Sequence, residues 1–368
     1  MSGTGTKNTA TITENVAFAK EKKGFPYKKV FLSLLIVLVV LLTLVLIVNI
    51  IINSYFSKIK VFDGVWELDV EKMNNMPMYK DNVAYFSQND ELLNAYHKAL
   101  LNHAQATSNM QYDDDVYNYA VLGIDQFEGS ERDPSADIIM LISINKDKEQ
   151  VTYLSFETRM LVYIPQVGVG PMNDAYVLGG PQLLANTLEQ NCGIQLDGFV
   201  EVNMTAFSEL IGVFGKIEIA GDADLVDRIN NDIALFNESE GLTGDDAVQN
   251  VELKKDKILL EGEQAIAYMR NADENKSSIA NTILSQITAK IAEQGFGGFM
   301  TALDVVLDRM MVSMIRDDAG ALITLGISVL ESVKTTPVGN MEGRQKVGSV
   351  GYICDYQSER EAVIAALY

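Results

Sequence analysis

The sequence predicts one mixed α/β domain of three-layer type behind a single N-terminal transmembrane helix. Three observations carry this. Val30 to Ile52 is an apolar run of 23 residues without a formal charge. From about Tyr117 onward, strand-like and helix-like patterns alternate without an internal repeat, which is neither a bundle nor a sandwich. With 48% hydrophobic and 21% charged residues over 368 positions, the chain can bury a sizeable core, and a mostly disordered polypeptide is excluded.

Residues 1–29 are polar, rich in Thr and Lys, and too short to fold alone, so they read as a tail. Spanning a bilayer takes about 20 apolar residues in a helix, because no water is available there for unpaired backbone groups. The run at 30–52 is long enough, and no small-residue cleavage site follows Ile52, so an uncleaved anchor is favoured over a signal peptide. Five lysines lie in residues 15–29 against two in residues 53–67. The lysine bias puts the N-terminus in the cytoplasm and the C-terminal domain outside the cell.

Residues 53–116 read as a connecting segment, with helical spacing of Leu92, Leu93, Tyr96, Leu100 and Leu101 over Glu91–Ala106. Asp113, Asp114 and Asp115 read as a solvated turn. The domain proper is expected over 117–368. Tyr119–Ile124 is a strand, and Asp137–Asn145 and Gln150–Phe156 are two more joined by a polar turn. Pro181–Cys192 is a helix opened by proline after two glycines. A strand at Phe199–Val202, a helix at Thr205–Phe214 and a strand at Lys216–Ala220 follow. Helices are expected at Glu261–Arg270, Ser277–Gln294, Gly298–Met314 and Asp318–Val333, then a strand at Val347–Cys354 and a helix at Ser358–Leu367.

The net charge of −21 argues against nucleic acid as a partner, since neutralising phosphates requires a basic surface. It is also unevenly spread: residues 1–60 hold eight lysines and two acids, and the remainder carries a balance of −27. Cys192 and Cys354 are too few for a disulfide framework and read as two small, semi-buried side chains, with pairing left open. No CxxC pair exists and His97 and His103 stand alone, so zinc has no support.

Asp125 ends the first core strand and Asp137 begins the next. If those strands pair through the intervening loop, both carboxylates share one end of the sheet, where ligands of α/β proteins bind. Two carboxylates there suit Mg²⁺, a hard ion that prefers oxygen ligands. Two aspartates capping turns is the equal alternative. Arg270 closes a helix, where a cation complements the dipole. Only eight arginines lie outside the predicted anchor, so an anionic substrate would need the few basic groups to converge.

The ordered blocks LGID, SADIIMLISIN, VTYLSF, YIP, NDAYVLGGP, GFVEVN with AFSELIGVFGKIEI, and LEGEQAIAYMR resemble the extracytoplasmic domain of the LytR-CpsA-Psr family over about Tyr117–Tyr368. The tail and single anchor fit as well. The resemblance implies a mixed central sheet between helices, with an apolar channel for a prenyl chain and a polar mouth for a pyrophosphate. It implies a membrane-bound enzyme that moves an anionic glycopolymer, such as teichoic acid, from a polyprenyl-pyrophosphate carrier to peptidoglycan. By that resemblance Asp125 and Asp137 hold Mg²⁺ and serve catalysis, and Arg270 binds phosphate.

Several of the family's basic positions differ. Ser135 stands where an arginine is usual, Arg159 is one residue out of register, Ala272 replaces a second arginine, Ile279 and Ala280 replace an Arg-Gln pair, and Pro171 replaces a lysine. A one-residue slip in a strand turns a side chain to the other face unless a bulge restores it. Charged hydrogen bonds to phosphate contribute about 1.5–3 kcal/mol each, so losing several would remove orders of magnitude from turnover. The alternative to the transferase is therefore a degenerate paralogue that binds polyprenyl lipid, wall polymer or an active partner without chemistry. A transcription regulator fits worst, because a 29-residue tail offers no helix-turn-helix.

Overall fold

The computed structural model of the chain describes residues 60–89, 91–106, 110–125, 134–148, 150–271, 276–307, 309–313, 345–347 and 350–368. The tail, the predicted anchor at 30–52 and the predicted helix Asp318–Val333 lie outside the described residues. Among those described, no helix is long and apolar enough to cross a membrane.

Strand β1 (Lys60–Val61) is followed by helices α1 (Val70–Asn75), α2 (Pro77–Lys80), α3 (Asn82–Asn89) and α4 (Glu91–Ala106). Then come β2 (Val116–Ile124), β3 (Ala136–Asn145), β4 (Gln150–Ser155), β5 (Leu161–Ile164), β6 (Gly168–Pro171) and α5 (Asp174–Cys192). Next are β7 (Gly198–Asn203), α6 (Met204–Phe214), β8 (Ile217–Ala220), α7 (Ala223–Ser239), β9 (Leu253–Lys254) and β10 (Lys257–Leu260). The last group is α8 (Gly262–Asn271), α9 (Lys276–Glu293), α10 (Gly295–Leu307), β11 (Met310–Val312), β12 (Gln345–Val347), β13 (Gly351–Ile353) and α11 (Tyr356–Leu367).

Six strands form the central sheet in the order β1-β11-β7-β2-β3-β4. It is mixed: β2 runs parallel to β7 and antiparallel to β3, which is antiparallel to β4. The centre strands are buried on both faces, so they read as near-continuous apolar runs. On one face Ala120, Leu122, Ile124 and Ile139 pack with α5 residues such as Leu183, Leu184 and Leu188. On the other, Ile138 packs against a cluster built by α6, α8 and α9, including Phe207, Ile266 and Ile283. Helices thus cover both faces, giving the three layers expected. A smaller antiparallel sheet, β8-β10-β9, completes the second cluster.

Three expectations differ from the structure. The segment 53–116 was expected to connect; from residue 60 it folds onto the domain. Tyr79 joins the α5-side core, and Phe86, Leu93 and Leu100 build a cluster with Leu161 and Val169. Helices α1 to α3 are too short to carry a long periodic pattern, so their burial is decided by tertiary partners. The helix expected over Gly298–Met314 ends at Leu307, and Met310–Val312 becomes a strand between β1 and β7, where β-branched and thioether side chains pack against Val200. The strand expected over Val347–Cys354 is a hairpin, β12 paired antiparallel with β13. The helix expected over Pro181–Cys192 is present as the second part of α5: the non-helical residues Gly179 and Gly180 separate it from a first part that starts at Asp174.

Candidate functional site at the ends of strands β2 and β3

Asp125 and Asp137 do share one end of the sheet. The Asp125 amide donates to the Ser135 carbonyl at 2.8 Å, which continues the β2–β3 ladder past Ile124. That ladder is irregular here. Gly123 pairs with Ile138 but Ile124 pairs with Ala136, leaving Asp137 as an extra residue in a bulge. The consequence is visible in the faces: Ala136 and Ile139 pack on the α5 side, whereas Ile138 packs on the other. Asp137 and Ile138 are neighbours in sequence, yet both line the same hollow, which an unbroken strand with its period of two does not allow. Gly123 permits the close pairing, since a Cβ there would lie 2.8 Å from the Ile138 Cβ.

The third predicted residue arrives from the far side of the fold. Helix α8 buries Ala265 through Met269, and Arg270 stands in its last turn. Its guanidinium makes a two-pronged contact with Asp125: Nε donates to Oδ2 at 3.2 Å and Nη2 to Oδ1. Nη1 donates to Asp232 Oδ2 at 3.3 Å, from helix α7. The side chains of Arg270, Asp125 and Asp232 are 18%, 15% and 23% exposed, so water screens these pairs only in part. Burial pulls the Arg270 pKa down, but hydrogen bonding and charge from Asp125, joined by Asp232, outweigh it and leave it raised above the ordinary arginine value.

The hollow is lined by Asp125, Asp137, Arg270, Ile138, Met204, Ile266 and Met269, and it holds about 10 Å³, roughly the room of one water molecule. Its apolar wall belongs to the cluster between the sheet and helices α6, α8 and α9. At this size the hollow itself does not accommodate a prenyl chain. Among the described residues, no group of three or more His, Cys, Asp or Glu side chains stands ready to hold a metal.

Among the described residues, Arg270 is the one basic side chain that lines this hollow. Arg159 is exposed and donates from Nη2 to the Val350 carbonyl at 3.1 Å, beside the β12–β13 hairpin. Arg132 and Ala272 lie outside the described residues. Ser135 Oγ donates to Asp137 Oδ1 at a long 3.4 Å, Ile279 is buried, and Pro171 pairs with Leu161 in the β5–β6 hairpin.

Asp232 was not foreseen. Val226, Ile229 and Ile233 recur at helical spacing after the capping Asp222, which is a readable helix signal, but nothing in the sequence ties that helix to Arg270. Two asparagines fix the rotation of α7. Asn230 exchanges both of its amide hydrogen bonds with the Val251 backbone, at 2.8 and 3.2 Å, and Asn237 does the same with Val248, at 2.9 Å each.

Fold and site together define a three-layer α/β domain that gathers carboxylates and one arginine at the ends of two central strands. A sequence model of the LytR_cpsA_psr family matches residues 83–334, and the chain belongs to that family. It is similar to the polyisoprenyl-teichoic acid–peptidoglycan teichoic acid transferase TagU of Enterococcus faecalis, 25% identical over 211 residues, 55% of this chain and 63% of that protein. The match therefore spans less than two thirds of the enterococcal relative. It is similar also to the transferase of the same description, TagT, of Bacillus subtilis, 23% identical over 249 residues, 66% of this chain and 70% of that one. A solved structure described as TagT bound to LI-WTA superposes with a TM-score of 0.51 at 19% identity, covering 70% of this chain and 93% of that one. At that identity the likeness concerns the fold.

Proposed function

We propose that this chain is a membrane-anchored, extracytoplasmic transferase of cell-wall assembly that moves an anionic glycopolymer from a polyprenyl-pyrophosphate carrier to peptidoglycan. The observation that carries the reading is the convergence of Asp125, Asp137 and Arg270 on one hollow in a chain of this family. The names of the two relatives, both teichoic acid transferases, supply the substrate class. Residues 30–52 would anchor the chain with its N-terminus in the cytoplasm.

The reaction is substitution at phosphorus. An acceptor hydroxyl forms a new O–P bond, the bridging P–O bond of the pyrophosphate breaks, polyprenyl phosphate leaves, and the hydroxyl proton passes to a carboxylate. Arg270 would hydrogen-bond the phosphate oxygens as charge builds there, with Asp125 orienting its planar fork. Ile138, Met204, Ile266 and Met269 would exclude water and strengthen those charged contacts. The donor set fits Mg²⁺: Asp125 and Asp137 offer hard oxygens, and this ion commonly takes one or two carboxylates and completes its shell with water and phosphate. When bound, it would neutralise charge on the phosphate oxygens.

A second reading has an observation of its own. Arg270 is the one cation among the described lining residues, and its guanidinium is engaged by Asp125 and Asp232. That favours a paralogue which binds polyprenyl lipid, wall polymer or an active partner without turnover. The two are separated by purifying the full chain in detergent, supplying a polyprenyl-pyrophosphate oligosaccharide and a peptidoglycan acceptor with Mg²⁺, and following release of polyprenyl phosphate. The transferase reading expects release that falls to background in Asp125→Ala. Equal background rates in both proteins sink it, and lipid copurifying with the inactive chain supports the binder.

A further inference from the structure

We infer that Asp232 is a specificity-determining residue of this site: it holds the Nη1 edge of Arg270 as an internal stand-in for a phosphate oxygen, so an anion engages that edge only by displacing it. The inference deepens the transferase reading and rests on Arg270 being the group that meets phosphate.

The geometry has three parts. First, the two carboxylates divide the guanidinium by edge, Asp125 taking Nε and Nη2 and Asp232 taking Nη1. A phosphate oxygen and a carboxylate oxygen ask for the same donor geometry, so occupant and ligand compete for one edge. Second, Asp232 does not wander. Ile229 and Ile233 bury one side of α7, and the reciprocal asparagine bonds of Asn230 and Asn237 hold its rotation. Third, the charge balance opposes anions. Among the described residues, Asp125, Asp137 and Asp232 against Arg270 make a formal −2 at the hollow, and removing Asp232 takes one negative charge away. That balance opposes any anion, and a pyrophosphate answers it with several acceptor oxygens that can each take a guanidinium donor.

The test is binding of inorganic pyrophosphate to the full chain in detergent, by calorimetry and without added divalent metal. Asp232→Asn is expected to bind about tenfold more tightly than the unchanged chain, because a carboxylate in partly buried contact with the receiving cation is gone. Asp232→Glu, which keeps the charge, should return most of the difference. Asp224→Asn removes a charge elsewhere on α7, from a residue 78% exposed and paired with Arg228, and should leave affinity unchanged. In Asp232→Asn combined with Arg270→Gln the gain should vanish. Asp232→Ser serves if the asparagine variant fails to fold. Unchanged or weaker binding on loss of Asp232, no binding by either protein, or an equal gain from Asp224→Asn overturns the inference. A chain that shows the Asp232 effect but never releases polyprenyl phosphate keeps the inference and loses the transferase; turnover without the effect does the reverse.

Discussion

The phenol of Tyr79 donates a 2.7 Å hydrogen bond to Asp174 Oδ2 across 95 residues of sequence, joining α2 to the first turn of α5. Both groups are pushed to raised pKa values, Tyr79 by burial and then by the charge of Asp174, Asp174 chiefly by burial. The bond ties the amino-terminal helices to the helix that covers one face of the central sheet. Tyr79→Phe should therefore lower stability by about 2 kcal/mol, the usual scale for a hydrogen bond to a charged group. A urea titration that shows no shift would mean the phenol is replaceable by water.

Burial raises the pKa of Asp174, Glu189 and Glu201. The unfolded chain releases these protons near pH 4, the folded chain only at higher pH. The unfolded state thus binds fewer protons, and stability falls as pH rises through the folded values. The net charge of −21 adds repulsion in the same direction. Thermal melting is expected to drop as the pH rises above the ordinary carboxylate range, about pH 4, and Asp174→Asn with Glu201→Gln should flatten that slope. A profile that rises with pH would refute this.

Helices α6 and α8 meet at Gly262, where an added Cβ would lie 2.2 Å from Ser208 Oγ and 2.4 Å from the Ser208 carbonyl oxygen. Backbone cannot step aside as a flexible side-chain tip can. Gly262→Ala is expected to cost about 1–3 kcal/mol and to displace the helix that carries Arg270. Melting temperature and pyrophosphate affinity should fall together.

Arg270→Gln leaves Asp125 and Asp232 facing each other without their shared cation, and should destabilise the chain by about 2 kcal/mol. Arg270→Lys should rescue little, because a single ammonium cannot reach both carboxylates with the fixed fork of a guanidinium. Denaturation midpoints of both variants, measured at low and moderate salt, decide this. Full rescue by lysine would show that charge alone matters at this junction.

Much of the domain was legible because its signals are local. Helix α4 matches the spacing of its leucines from Glu91 to Ala106, and β2, β3, β7 and α6 fall within a few residues of their apolar runs. Asp125 and Asp137 could be set at one sheet end because the connection over 125–135 is too short for a crossover and so implies antiparallel pairing. Met310–Val312 was misread as helix because three apolar residues carry no periodicity of their own.

By itself, then, the amino-acid order determined a mixed α/β domain, most of its central elements, and the acidic end of two strands. Only the tertiary structure decided that Asp137 is swung by a bulge onto the face of Ile138, that Tyr79, Phe86, Leu93 and Leu100 belong to the core, and that Arg270 is shared with Asp232. The reason is range. Periodicity and capping act over a few residues, whereas the Arg270–Asp125 contact spans 145 positions and the Arg270–Asp232 contact 38, set by how helices dock on a sheet.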